Sequence, residues 1–455
     1  MRPAAVVLLL ATLPLLTAGR ACSTEPLNVL LITLDTTRAD RLTPYGLMDA
    51  SMPALERLAR EGIVFDQAST VAPLTLPAHT SLFTGRLPPA HGIRDNSDPR
   101  LAGEHVTLAE VLQARGYRTA AFVGSAVLDA DRGLAQGFAM YRSAVEPDDR
   151  PGSSLQRRGD AVVSDAIAWL GQAPRSPFLL WTHLYDPHRP YDPPEPYRSR
   201  FSDPYIAEIA FADAQIGRLI DELDRRELLD RTLVIVAGDH GESLGEHGER
   251  NHGIFVYESV LRVPLMMRVP GLPPSRIAAL VRLTDVMPTL LELVGVEAPT
   301  ADGISVAGMM TGAVPDLELE AYAESRYPLR FGWSPLGALR DGRFKVIDAP
   351  RPELYDLSRD PFELTNLYEK RRPLADAMIR RLRALQAAAA ETSPAEHSEV
   401  PGELRQRLSA LGYASGSARE PPESGRDLPD PKDCFREEPP SSPAAQRECF
   451  ARAGR

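Results

Sequence analysis

Seven of the nine histidines fall in a few short segments: His79 and His91, His183 and His188, His240 and His247, and His252. Scattered surface histidines would not cluster in this way. Three aspartates accompany them, Asp35, Asp186 and Asp239, each close behind an apolar run. Imidazole nitrogens and carboxylate oxygens in these numbers supply enough ligands for one or two divalent cations. Each histidine alone also has a plain reading as a hydrogen-bonded structural group. The set as a whole points to metal-assisted chemistry.

The elements that must position these groups alternate along the chain. Asn28 to Leu34 is an apolar run of buried-strand type ending at Asp35. Thr107 to Arg115 reads as an amphipathic helix, and Thr119 to Val123 and Phe178 to Leu184 as strands. Ile206 to Leu228 has helical spacing, and Thr232 to Ala237 is an apolar strand running into Gly238-Asp239-His240. Val263 to Val269 reads as a further strand. This order predicts an α/β fold, a mostly parallel sheet with helices on both faces. Ligands in such sheets bind beyond the carboxyl ends of the strands. Asp35, Tyr185-Asp186-Pro187-His188 and Asp239-His240 all follow strands, so the pattern places three polar clusters on one rim.

The texture changes near residue 315. Leu336 to Arg340 and Arg343 to Ile347 flank Asp341-Gly342, a hairpin signal. Glu353 to Leu357 and a helix from about Leu374 to Ala389 follow. We read residues 27–315 as one α/β domain and 316–390 as a small antiparallel sheet with a covering helix. A second short helix is expected from Glu403 to Leu411. Residues 391–455 form a tail rich in Pro, Ser, Glu and Arg, the composition of a disordered segment apart from a Cys loop.

The ends of the chain speak to location. Arg2 followed by the apolar Ala4 to Leu16 and small residues to Ala21 reads as an export signal over residues 1–21, too short for a membrane span. Cys22 stands where a bacterial lipoprotein carries its lipid, so membrane attachment through Cys22 and simple cleavage are both open. Cys434 and Cys449 are the two remaining cysteines, and in an exported chain they are expected to form a disulfide. The formal net charge of −11 over 455 residues argues against a nucleic-acid partner. The expected place of action is the periplasm or cell envelope.

The stretch Thr75-Leu76-Pro77-Ala78-His79-Thr80-Ser81-Leu82-Phe83-Thr84-Gly85-Arg86 resembles the sulfatase signature. Asp35-Thr36-Thr37-Arg38-Ala39-Asp40 resembles the first motif of that family. His91 to Asn96, Tyr185 to Tyr191, Gly238 to Glu242, Gly245 to Gly248 and Arg262 to Leu265 resemble the motifs that follow it, in order. Leu354 to Leu357 with Asp360 to Leu367 resembles its C-terminal subdomain. The resemblance covers residues 27–370 and is to the sulfatase family of the alkaline phosphatase superfamily. It implies an alkaline phosphatase-like α/β/α sandwich and a hydrolase acting on an anionic ester, on a small molecule, a glycan or a lipid headgroup. It implies that Asp35, Asp239 and His240 are metal ligands and that Thr75 is both nucleophile and remaining ligand. It further implies that His188 contacts the ester, that His252 lies near a substrate-contacting lysine position, and that His79 takes the place of an arginine.

Four departures from the family pattern bear on the chemistry. Thr75 replaces a Cys or Ser that the family oxidises to formylglycine. A threonine could yield only a ketone, so no formylglycine is expected. Thr36 replaces the second aspartate of a metal pair, His240 a frequent asparagine, and His252 a lysine. The imidazoles suit zinc-like metals. An alcohol is a poor nucleophile at neutral pH until a cation lowers its pKa. Asp35, Asp239, His240 and Thr75 would complete one site, and Asp186, His188 and His252 are chemically adequate for a second. Zinc or manganese suits the donors, and calcium suits a single oxygen-rich site. Arg86 and Arg94 could meet an anionic substrate or an internal carboxylate, Asn96 a substrate; His247 reads as structural and Glu242 as orienting a ligand. The expected activity is cleavage of phosphate-type esters by a Thr75 alkoxide. The alternatives are sulfate-ester hydrolysis without formylglycine, phosphotransfer to a cell-surface glycan or lipid, and a silent glycan-binding surface protein.

Overall fold

The computed structural model describes residues 26–143, 156–172, 177–391 and 428–434. The export signal, Cys22, the Glu403 to Leu411 helix, Cys449 and most of the tail lie outside these residues. No helix among the described residues is long and apolar enough to cross a membrane.

The large sheet has eight strands: β1 (Asn28–Leu34), β2 (Ile63–Ser69), β3 (Arg118–Val123), β4 (Met140–Arg142), β5 (Phe178–Leu184), β6 (Thr232–Gly238), β7 (Arg262–Arg268) and β8 (Ser275–Arg282). Their order is β4-β3-β5-β1-β6-β7-β2-β8. All neighbours are parallel except β7, which runs antiparallel to both β6 and β2. β1 sits between β5 and β6 and is buried along its whole length. A strand covered on both faces must be apolar on both, which is why Asn28–Leu34 shows no alternation.

Side-chain parity decides which face holds the chemistry. Val29 and Leu31, Leu179 and Trp181, and Leu233, Ile235 and Ala237 pack into one core with Leu76, Leu82 and Phe83 of the Thr75–Thr84 helix. Leu30, Ile32 and Leu34 pack into the opposite core with the Pro204–Arg225 helix. Successive strand residues alternate between faces. Thr33, Asp35, His183 and Asp239 therefore project to the face that carries the Thr75–Thr84 helix. The ladder continues to the rim: the Asp35 N–H donates to the Leu184 carbonyl at 3.0 Å, and the Asp239 N–H to the Leu34 carbonyl at 3.2 Å.

The helix Thr75–Thr84 has no sequence signature of amphipathicity because all ten of its residues are buried. It ends at Gly85, which adopts a left-handed φ of +66°. The Gly85 N–H closes the last turn on the Ser81 carbonyl at 2.9 Å.

The second sheet contains β9 (Ala321–Ser325), β10 (Leu336–Arg340), β11 (Phe344–Asp348) and β12 (Glu353–Asp356), in the antiparallel order β12-β11-β10-β9. One face packs on the helix Arg372–Ala390 through Leu339, Val346, Leu354, Ile379 and Leu382. The other packs on Ile254 to Leu261, directly after His252. Lys345, fully buried, ties the two units together by ion pairs of 3.0 Å to Glu258 and 2.8 Å to Glu363. Within the tail, residues 428–434 dock on this sheet. The Ser334 N–H donates to the Pro429 carbonyl at 2.9 Å and the Arg351 N–H to Asp430 at 3.0 Å. Cys434 is disulfide-bonded.

Candidate active site

Asp35, Asp239 and His240 offer ligand atoms that all lie within 4.8 Å of one another, and all three side chains are fully buried. His240 Nδ1 donates to the Gly241 carbonyl at 3.0 Å. That bond fixes the tautomer and leaves a lone pair on Nε2. Nε2 faces Asp239 Oδ2 at 3.6 Å, Asp35 Oδ1 at 3.9 Å and the Thr75 hydroxyl at 3.3 Å. Both Asp35 oxygens and Asp239 Oδ2 are buried with no hydrogen-bond partner. Orphaned carboxylate oxygens are costly in a buried site, and together with a bare imidazole nitrogen they form a donor set that fits a divalent cation. Burial pushes the Asp35 and Asp239 carboxyls up from their ordinary values, Asp239 strongly, and the charge of Asp35 adds to the rise at Asp239. Burial drives the His240 imidazole far down. These shifts favour the neutral imidazole and oppose two bare carboxylate charges side by side.

Thr75 is the first residue of its helix, where the N-terminal end of the peptide dipoles favours developing negative charge. Its position is held from several sides. Leu76 N–H donates to Asn96 Oδ1 at 2.9 Å, and His79 Nδ1 meets the Thr75 carbonyl at 2.8 Å. The Asn96 amide nitrogen is buried and has no partner. His79 Nδ1 also lies 3.6 Å from Asp239 Oδ2, so the residue in the arginine position touches the Asp35, Asp239 and His240 cluster. Thr36, in place of a second aspartate, adopts a left-handed φ of +46°. Its N–H donates to Asp239 Oδ1 at 3.1 Å while its hydroxyl is buried and unpartnered. Tyr205 clamps this strained turn, donating to the Thr36 carbonyl at 2.6 Å and accepting from the Arg38 N–H at 3.0 Å.

His188 and His252 come together, with ring centroids 5.1 Å apart and His252 4.5 Å from His240. His188 stacks on Tyr185 and donates from Nδ1 to the Arg189 carbonyl at 2.5 Å, leaving Nε2 buried and unpartnered. His252 Nδ1 pairs with Glu242 Oε1 at 3.1 Å. Burial lowers both imidazoles, His188 to about 4, but at His252 the charge and hydrogen bond of Glu242 outweigh burial and hold it above its ordinary value.

Asp186 corrects one expectation. It is not gathered with His188 and His252 as a third ligand, because both its oxygens accept the Gly159 N–H, at 3.0 and 2.9 Å, at the start of the Gly159–Gly171 helix. Among the described residues Asp35, Asp239 and His240 are the one cluster of this kind. Arg86 pairs with Asp302 at 3.1 Å and Arg94 with Glu324 at 2.5 Å, so both have internal carboxylate partners. His247 stacks on Tyr257 with ring centroids 3.6 Å apart. A separate cavity of about 470 Å³ between the two sheet units is lined by Arg38, Glu246, Arg262, Arg340 and Glu363 and by none of the clustered ligands.

Thr33 was not singled out by the motifs, and His183 entered only as one of the clustered histidines. His183 Nε2 lies 3.3 Å from Asp35 Oδ2, and its Nδ1 lies 3.1 Å from the Thr33 hydroxyl. That hydroxyl accepts from the Trp181 indole at 3.0 Å and meets His79 Nε2 at 3.0 Å. The signal was present in strand parity, since residues 33 and 35 share a face and Thr33 pairs with His183 across β1 and β5.

The sulfatase family model matches residues 27–296, and the model for the C-terminal region of N-sulphoglucosamine sulphohydrolase matches residues 245–388. A choline-sulfatase of Rhizobium meliloti is 29% identical over 450 residues, spanning 79% of this chain and 86% of the relative. An ulvan-active sulfatase of Formosa agariphila is 27% identical over 402 residues, spanning 76% and 78%. Among solved structures, a phosphonate monoester hydrolase of Agrobacterium radiobacter superposes with a TM-score of 0.69 at 22% identity, covering 80% of this chain and 96% of that one. An enzyme solved with its substrate D-glucosamine-2-N,6-O-disulfate superposes with a TM-score of 0.70 at 21% identity, covering 82% and 100%. With buried carboxylates and an imidazole gathered at the end of a parallel sheet, and a family model spanning more than half of its length, this chain belongs to the sulfatase family and is a hydrolase of ester bonds.

Proposed function

We propose that this protein cleaves phosphate-type esters with the Thr75 hydroxyl as nucleophile, at a site held by Asp35, Asp239 and His240. The observation that carries this reading is the Thr75 hydroxyl 3.3 Å from Nε2 of His240, beside carboxylate oxygens that accept no hydrogen bond. A divalent cation bound by these groups would lower the pKa of an alcohol and offset charge on the ester. Zinc or manganese suits the mixed donors. Thr75 attacks the ester centre, the ester oxygen departs, and water then cleaves the threonine ester and restores the hydroxyl. His252 is committed to Glu242 through Nδ1, so its contact with the ester runs through Nε2, which delivers a proton to the departing oxygen. His188 Nε2 is the second group able to hold or move a proton there. Export to the cell envelope, and lipidation at Cys22, fit the N-terminal pattern.

The names of the sequence relatives favour a second reading, hydrolysis of sulfate esters. Threonine lacks the aldehyde hydrate through which a formylglycine enzyme expels sulfate, so this chemistry would be slow here. Rates on matched aryl phosphate and aryl sulfate substrates separate the two readings. Thr75→Ala abolishes turnover under either, and full activity in Thr75→Ala overturns the nucleophile assignment.

A further inference from the structure

Glu242 has an unusual set of partners for a carboxylate. It is fully buried, yet among the described residues no lysine or arginine pairs with it. Oε1 meets His252 Nδ1 at 3.1 Å and Oε2 accepts the Tyr191 hydroxyl at 3.0 Å. A buried carboxylate is tolerated when its oxygens are hydrogen-bonded, and here Tyr191 and His252 do this work. Tyr191 is itself placed: its ring packs against Tyr205 at 5.4 Å, and Tyr205 clamps the turn after Asp35. Tyr191 also lies three residues after His188, on the same loop.

The residue types explain why such a lock is needed. A lysine at the His252 position would reach the ester on a flexible stem, with three equivalent donors. An imidazole has two distinct nitrogens and a fixed plane, so it serves only when one nitrogen is tied down and the other turned to the reacting group. Glu242 ties Nδ1, and the Tyr191 hydroxyl fixes the carboxylate that does so.

We propose that Tyr191 and Glu242 are positioning residues that hold the His252 imidazole with Nε2 toward the ester, so that the loop carrying His188 also sets the orientation of His252. This rests on the reading of His252 as a group that serves the ester.

The test is a double-mutant cycle of Tyr191→Phe and His252→Ala, with Glu242→Gln as a second lock variant. It is run on a series of aryl phosphates of rising leaving-group pKa, or on aryl sulfates if those are turned over faster. Tyr191→Phe keeps the ring and its packing. The expected result is a kcat lowered about tenfold with KM and bound metal unchanged, and a loss that grows as the leaving group becomes poorer. In the His252→Ala background, Tyr191→Phe has no further effect. Equal losses with and without His252, or a loss confined to KM or thermal stability, overturn the proposal. His252→Ala with wild-type rates across the series instead removes the underlying reading of His252, an outcome distinct from a failed cycle.

Discussion

Asp239→Asn tests whether the buried carboxylates exist for a cation. Asp239 Oδ1 accepts the N–H groups of Thr36 at 3.1 Å and His240 at 2.7 Å, and an asparagine oxygen keeps both bonds. Oδ2 has no hydrogen bond and belongs to the cluster whose ligand atoms lie within 4.8 Å. Two unit charges at that separation and an effective dielectric near 20 repel by about 3 kcal/mol. Proton uptake relieves part of this, so removing the charge should stabilise the chelated protein by about 1–3 kcal/mol. That is a rise of a few degrees in melting temperature for a domain of this size. The sign follows from the pKa directions. Both carboxyls are raised above their ordinary 3.8 in the fold. The ionisation-linked cost of burying them is therefore absent below about pH 4, grows as pH rises from there toward the folded values, and is complete above them. In chelator, the advantage of Asp239→Asn should widen from pH 4 to pH 8. Added zinc or manganese should reverse the order, raising the wild type and leaving the variant unchanged. Differential scanning calorimetry across this pH range, with and without metal, is the assay. A variant less stable than wild type in chelator at pH 8, or a wild type indifferent to metal, would refute the reasoning.

Chelation should abolish hydrolysis of an aryl phosphate, and readdition of zinc or manganese should restore it, measured by product release. Tyr205→Phe removes both hydrogen bonds on the strained Thr36 turn and should cost about 1–2 kcal/mol in urea unfolding, with weaker metal binding by chelator competition. Lys345→Met leaves Glu258 and Glu363 buried without their shared cation and should cost about 3–5 kcal/mol, read as a lower urea midpoint.

Much of the architecture was written in local pattern. β1 and β5 coincide with the apolar runs that predict them, because a strand buried on both faces must be continuously apolar. The Asp341-Gly342 hairpin is equally local, since the turn needs residues that tolerate its backbone. Other features escaped such reasoning, among them the strands Ile63–Ser69 and Ser275–Arg282. The Thr75–Thr84 helix is buried all round, so no polar face marks its period. The antiparallel direction of β7 has no local signature, because an apolar run reads the same whichever way its strand points.

The residues of the site divide along the same line. Asp35, Asp239 and His240 could be named from their types and their places after strands, and parity alone puts Asp35 and Asp239 on one face. Whether a neighbouring acid joins them is a matter of where a carboxylate finds its donor. Asp186 stands two residues before His188, yet the Gly159 amide takes both its oxygens, because the N-terminal end of a helix supplies N–H groups that seek an acceptor. Conversely, the sequence separates Tyr191, Glu242 and His252 by up to 61 positions, and only the packing of the His188 loop against the segment after β6 brings them into one hydrogen-bonded line. The sequence by itself determined the family, the central strands of the sheet and the kinds of side chain at the site. Tertiary structure decided which polar atoms were left without partners, since hydrogen-bond satisfaction depends on neighbours that only the folded chain supplies.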